Sequence, residues 1–273
     1  MLSHFMFSED LLQCYGTGSK VWWSRAPKGC ALIFVHGFAG AAVNTWSSFS
    51  TLLRQESKCA GWDIFFFGYD GLHTEVISSA SKLERLLDDL ASNPASVYAN
   101  SSASPFSRRA HPNRYERIVL VAHSMGAILS RRAMLNGARR SPVAAWSSFT
   151  ELVCFAPALS GAKVKKLIHQ TLGPTMAILS LLQLLGKYVI LLDVDDGALN
   201  RLHAELNSLH GNNPTLAAKA IVLAENDKVV TNGPMIPDPP ARPNAVLAGQ
   251  THVSVCKPKD DFKSPLSLLL AEL

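Results

Sequence analysis

The chain alternates between short, nearly unbroken apolar runs and amphipathic stretches. Five runs stand out: Ala31-Leu-Ile-Phe-Val35, Trp62-Asp-Ile-Phe-Phe-Phe67, Ile118-Val-Leu-Val121, Glu151-Leu-Val-Cys-Phe155 and Ala220-Ile-Val-Leu-Ala224, with Ala245-Val-Leu-Ala248 a weaker sixth. Runs of this length, ended by Gly, Asp, Asn or Ser, predict strands buried on both faces, as in a parallel sheet covered by helices. Between them the period becomes helical. Ile77 to Leu90 places Leu83, Leu86, Leu87 and Leu90 on one face and Lys82, Glu84, Arg85 and Asp88 opposite, while Met125 to Ala138 opens directly behind the third run. This alternation predicts one α/β domain, residues 1–273, built on a doubly wound, mostly parallel sheet.

Three segments interrupt the pattern. Asn93 to Arg114 is rich in Ser, Ala, Asn and Pro and reads as a long surface loop. Pro234, Pro237, Pro239, Pro240 and Pro243 separate the last two strands and exclude helix or central strand there. Residues 158–217 break the alternation altogether, which predicts a helical cap or lid inserted over the sheet edge. Within that segment, Leu172 to Leu192 has about the length of a membrane span and carries one charge, Lys187. Its Ile178, Leu179, Leu181, Leu182, Leu184 and Leu185 recur at helical spacing, with Ser180, Gln183 and Lys187 opposite. A one-sided helix is expected, suited to a lid, an acyl pocket or peripheral membrane contact; a transmembrane span is the alternative.

Composition narrows the class. Hydrophobic residues make up 48% of the 273 and charged residues only 17%, against about 25% charged in ordinary soluble domains. That balance excludes disorder and predicts a large buried core. The net charge of +5 comes from scattered basic pairs such as Arg108-Arg109 and Arg139-Arg140 rather than a tract, so no nucleic-acid partner is expected. The five cysteines are odd in number and lack C-x-x-C spacing, which predicts reduced thiols, no metal site and a cytoplasmic setting. Residues 1–10 lack the charged start and apolar run of a signal peptide.

The chemistry concentrates at Val119-Leu-Val-Ala122-His-Ser124-Met-Gly126-Ala127, an apolar strand that runs into a serine and then into a helix. A nucleophile elbow holds its serine in a strained strand-to-helix turn, so the positions two before and two after it must be small. Ala122 and Gly126 meet that demand; the simpler role for Ser124 is a helix N-cap. A serine hydroxyl requires a neighbouring base, itself oriented by a third group. His252 is the one histidine beyond residue 210 and follows the last apolar run, where a loop can bring it over the sheet edge. For the acid, Asp227 in the turn after Ala220–Ala224 leads; Glu225 is its local rival, and Asp193, Asp195 and Asp196 are more remote. An oxyanion needs two preorganised N–H donors. The amide of Met125 at a helix N-terminus supplies one, and the amide of Phe38 in Val35-His36-Gly37-Phe38 is the choice for the other, with His36 read as structural.

Val35-His36-Gly37-Phe38, Asn44-Thr45-Trp46, Phe67-Gly68-Tyr69-Asp70, the Ala122–Gly126 elbow, Glu225-Asn-Asp227-Lys-Val-Val230 and His252-Val-Ser-Val-Cys-Lys-Pro258 together resemble the α/β-hydrolase superfamily. Within it the chain is similar to the serine esterases and lipases related to the GPI-inositol deacylase and SERAC-type proteins. The resemblance implies Ser124 as nucleophile, His252 as base, Asp227 as acid, and Phe38 and Met125 as oxyanion donors, with Trp46 and Tyr69-Asp70 given packing roles. It implies a serine carboxylesterase or lipase-like hydrolase without cofactor or metal, acting on a small-molecule or lipid ester with an apolar acyl group. The alternatives are an inactive hydrolase-fold binding protein, and an acyltransferase, thioesterase or peptidase with the same triad. Ala122 departs from the usual Gly, and residues 158–217 carry no family motif.

Overall fold

A computed structural model of the chain describes residues 7–12, 14–71, 76–99, 114–158, 196–230 and 245–273. The strands are β1 (Phe7–Leu12), β2 (Ser19–Ser24), β3 (Cys30–Val35), β4 (Trp62–Phe67), β5 (Arg117–His123), β6 (Thr150–Phe155), β7 (Ala218–Ala224) and β8 (Ala245–Leu247). They form one sheet in the order β1-β2-β4-β3-β5-β6-β7-β8, with β1, β2 and β4 antiparallel in turn and every other pair parallel. The expected mostly parallel, doubly wound sheet is therefore present. Two antiparallel strands at its edge were not expected. Ser8, Glu9 and Asp10 break the apolar pattern of β1, as suits an edge strand with one side in water, and Lys20 of β2 pairs with Glu9 at 2.6 Å.

The helices are α1 (Phe49–Leu53), α2 (Val76–Ser92), α3 (Pro94–Ala99), α4 (Met125–Arg139), α5 (Asp196–His210) and α6 (Ser264–Ala271). Alternate strand residues enter two cores, which is why the strands read as unbroken apolar runs. Ile33, Val35, Leu120 and Ala122 pack against α2, α4 and α5, whereas Leu32, Phe34, Val119 and Val121 pack against α1 and α6. The second core is aromatic: Phe34 stacks on Phe66 at 4.6 Å and meets Trp46 edge-on at 4.9 Å. At the far edge β8 is three residues long, contains no buried residue and, among the described residues, pairs with β7 alone.

The stretch read as a loop from Asn93 begins as helix α3. Pro94 occupies its first position, where the missing N–H costs nothing, and Val97 is buried. Residues 100–113 lie outside the described residues. So do residues 159–195, hence most of the expected cap, the whole 172–192 segment and both Asp193 and Asp195. The end of that segment, α5, buries Leu199, Leu202 and Leu206 in the same core as α4. Among the described residues no helix is long and apolar enough to cross a membrane.

The order places a switch point between β3 and β5, because the chain leaves β3 toward β4 and leaves β5 toward β6. In open α/β sheets the crevice at the carboxyl ends of such strands is where ligands bind.

Candidate active site

Ser124 sits at that crevice, between β5 and α4, with φ 53° and ψ −121°. A positive φ is strained for any residue with a Cβ and persists only where the surroundings enforce it. Here its N–H donates to Phe155 O at 3.1 Å, and its own carbonyl accepts from Ala127 N at 3.1 Å and Ala158 N at 3.2 Å. Gly126 explains the close docking of α4: a Cβ there would lie 2.3 Å from Val35 O and 2.4 Å from His36 O, both rigid backbone atoms. A Cβ on Gly37 would lie 2.8 Å from the Cβ of Ser124. Ala122, where many elbows have Gly, keeps its methyl fully buried in the α2–α4 core.

Ser124, His252 and Asp227 are brought together in one hydrogen-bonded chain. Ser124 Oγ and His252 Nε2 are 2.9 Å apart, and His252 Nδ1 and Asp227 Oδ2 are 2.8 Å apart. The other carboxylate oxygen of Asp227 accepts from the amides of Val229 (2.8 Å) and Val230 (2.9 Å). With Nδ1–H donated to the carboxylate, Nε2 is left to accept from the serine hydroxyl. Burial by itself would raise the Asp227 pKa, but the bond and charge of His252 and the two amides hold it below the usual carboxylate value. The loops after β7 and β8 are laced together by Glu225 N to Leu247 O (3.1 Å) and Asn226 N to Gln250 O (2.9 Å). Glu225, the local rival acid, is engaged elsewhere: its Oε2 accepts from Gly249 N at 2.7 Å.

Two further histidines brace this arrangement. His36 Nδ1 donates to Gly37 O at 2.8 Å, Nε2 accepts from Tyr69 N at 3.2 Å, and the ring stacks on Tyr69 at 4.2 Å. Tyr69 Oη in turn donates to His36 O at 2.7 Å, so the loop carrying Gly37 and Phe38 is clamped. Burial pushes the His36 imidazole down to about 4 despite these backbone contacts. His123, within the elbow motif, has no role that the sequence predicts. Its Nε2 donates to the carbonyl of His252 at 2.8 Å, and burial followed by the neighbouring charge of His252 pushes it down to about 3. It is thus neutral at ordinary pH and ties the elbow to the backbone of His252. No local sequence signal marks this brace, because its partner is a backbone carbonyl 129 residues further on.

Met125 opens α4, so its amide belongs to the first turn, where no intrahelical carbonyl is available. Phe38 follows Gly37 beside Ser124 and is buried. Cys256, four residues after His252, is fully buried and pushed up to about 12, which keeps it protonated. Among the described residues no cluster of three or more His, Cys, Asp or Glu is placed to hold a metal ion. A cavity of about 380 Å³, a size suited to small-molecule ligands, has Ser124, His252 and His123 in its wall together with the Gly37–Ala41 loop, Asn44 and Lys257.

No protein-family model matches the sequence, and no curated protein matches it significantly. Solved structures do. The peroxisomal alpha-beta-hydrolase Lpx1 of Saccharomyces cerevisiae is similar over 93% of this chain and 79% of its own, with a TM-score of 0.51 at 11% identity. The propeptide form of the Bacillus licheniformis lipase BlEst2 is similar over 98% of this chain and 53% of its own, with a TM-score of 0.51 at 15% identity. The chain has the α/β-hydrolase fold.

Proposed function

We propose that the protein is a serine hydrolase that cleaves carboxylic esters through Ser124, His252 and Asp227, with no cofactor or metal. The observation that carries this reading is the Ser124–His252–Asp227 hydrogen-bonded chain, whose Ser124 and His252 line a cavity. In the proposed reaction, Ser124 Oγ attacks the ester carbonyl carbon while its proton passes to His252 Nε2. Asp227 stabilises the imidazolium so formed and holds the productive tautomer. Charge on the carbonyl oxygen is met by the amides of Met125 and Phe38. Collapse of the tetrahedral intermediate expels the alcohol, which takes the proton from Nε2. Water then repeats the sequence on the acyl-enzyme, returning the proton to Ser124 and releasing the acid.

An apolar or lipid acyl group is part of this proposal, supported by the leucine-rich 172–192 segment as a lid or acyl pocket within residues 158–217. The same segment would supply any peripheral membrane contact. The SERAC-type affiliation is likewise proposed, on the sequence motifs. The test is a p-nitrophenyl ester chain-length series on the protein and on Ser124→Ala, with fluorophosphonate labelling of Ser124. Hydrolysis and labelling that both disappear in Ser124→Ala are expected, with longer chains preferred. No hydrolysis of any ester and no labelling would leave a binding protein on a hydrolase fold.

A further inference from the structure

We propose that Lys257 selects esters bearing a negatively charged group, so that the substrate carries an anion beside the scissile bond. This assignment rests on the serine-hydrolase reading and names its substrate class. Behind His252 the chain coils tightly, with Val255 N donating to Thr251 O at 3.1 Å and Lys257 N to Ser254 O at 3.0 Å. That coil brings Lys257 into the wall of the cavity that holds Ser124. Lys257 is partly buried, and among the described residues its ammonium has neither an ion-pair partner nor a hydrogen bond.

The described wall of the cavity offers this ammonium no carboxylate. Asp227 stands behind His252, its oxygens already engaged by His252, Val229 and Val230. Asn44 adds an amide with no side-chain partner among the described residues, and the N-terminus of the 15-residue α4 opens at Ser124. A concave site whose fixed charge has one sign concentrates ligands of the opposite sign. Lys257 is also the smallest of the influences that lower the pKa of buried His123 in the same wall. A neutral ester would leave this cation without a partner, whereas a carboxylate or other anion on the substrate would complete it.

The test compares kcat/KM for p-nitrophenyl butyrate with mono-p-nitrophenyl succinate, which charges the acyl side, and for phenyl butyrate with 4-sulfophenyl butyrate, which charges the alcohol side. In Lys257→Met at least one charged-to-neutral ratio should fall about tenfold or more, while Lys257→Arg should hold it within about threefold. The affected pair identifies the side of the ester that faces Lys257. In the unsubstituted protein, raising ionic strength should raise KM for that charged ester and leave its neutral partner unmoved, a result independent of how any variant folds. Unchanged ratios for both pairs in folded Lys257→Met, or no salt effect on either charged ester, would overturn the assignment while ester hydrolysis stands. Absence of Ser124-dependent hydrolysis of all four esters would remove the underlying reading instead.

Discussion

Replacing Asp227 with Asn gives the sharpest test of how the candidate site works. The side-chain oxygen of Asn can still accept the amides of Val229 and Val230, which now reach Oδ1 at 2.8 and 2.9 Å, so the turn is retained. The amide nitrogen would then face His252 Nδ1, where the carboxylate now lies at 2.8 Å. Two N–H groups cannot share that contact, so the imidazole shifts its proton to Nε2 and donates to Ser124 Oγ instead of accepting from it. In the serine-protease template this tautomer error lowers kcat by about 10⁴, equivalent to about 5.4 kcal/mol of transition-state stabilisation. Asp227→Asn should therefore lose about four decades in p-nitrophenyl ester turnover, and its labelling by a fluorophosphonate should slow in parallel, with thermal denaturation confirming an intact fold. Glu225→Gln should stay within about threefold of the unsubstituted protein, because a Gln oxygen can still accept from Gly249 N. A loss below tenfold in Asp227→Asn, or a collapse of activity in Asp193→Asn alone, would refute the assignment of the acid.

His123→Phe removes the bond to the His252 carbonyl while filling a similar volume; kcat should drop about 10- to 100-fold with KM within about twofold, and a proportional rise in KM would point to a collapsed cavity instead. Gly126→Ala forces a methyl to within 2.4 Å of two backbone carbonyls, so α4 must lift from β3 at a cost of about 2–3 kcal/mol; unaltered melting and labelling would contradict the docking geometry. His36 and His123 titrate at about 4 and about 3 in the folded protein, against 6.5 for a free imidazole. The unfolded chain takes up these protons first, so this stability is fully present above about pH 6.5 and is lost as pH falls toward 3–4. The loss, on the order of several kcal/mol, is comparable with total domain stability. Thermal scans should show a steep acid fall, and a melting temperature unchanged between pH 7 and 4 would disprove it.

The parallel core was legible because strands covered on both faces write themselves as apolar runs, and β3 to β7 all do so. β1 and β2 were not, since an edge strand with Ser8, Glu9 and Asp10 on it has no run to read, and α3 was hidden in a Pro- and Ser-rich stretch. Ser124 was visible because the elbow demands small residues at 122 and 126. His252 lies 128 residues further on, and chain order alone linked the two. Asp227 already led Glu225 from its place in the turn after β7; what the sequence could not show is that the loops close so that the nearer carboxylate accepts from Gly249 N. The roles of His123 and Lys257 were silent in one dimension, because one depends on a backbone carbonyl and the other on the lack of a counter-charge among the described residues.

The loops carrying Asp227 and His252 are laced together beside β8, a three-residue strand with no buried residue and, among the described residues, a single neighbour. Ser124, by contrast, rises from the sheet centre. The candidate machinery therefore joins the sheet centre to its edge, and an opening of that edge would separate base from nucleophile while β3 to β5, α2 and α4 stay folded. Such a protein should lose function by subglobal opening before it melts. Activity should vanish at denaturant concentrations that leave the fluorescence of buried Trp46 and Trp146 unchanged, and a ligand that bridges His252 and Ser124 should protect the edge amides of β7 and β8 from hydrogen exchange.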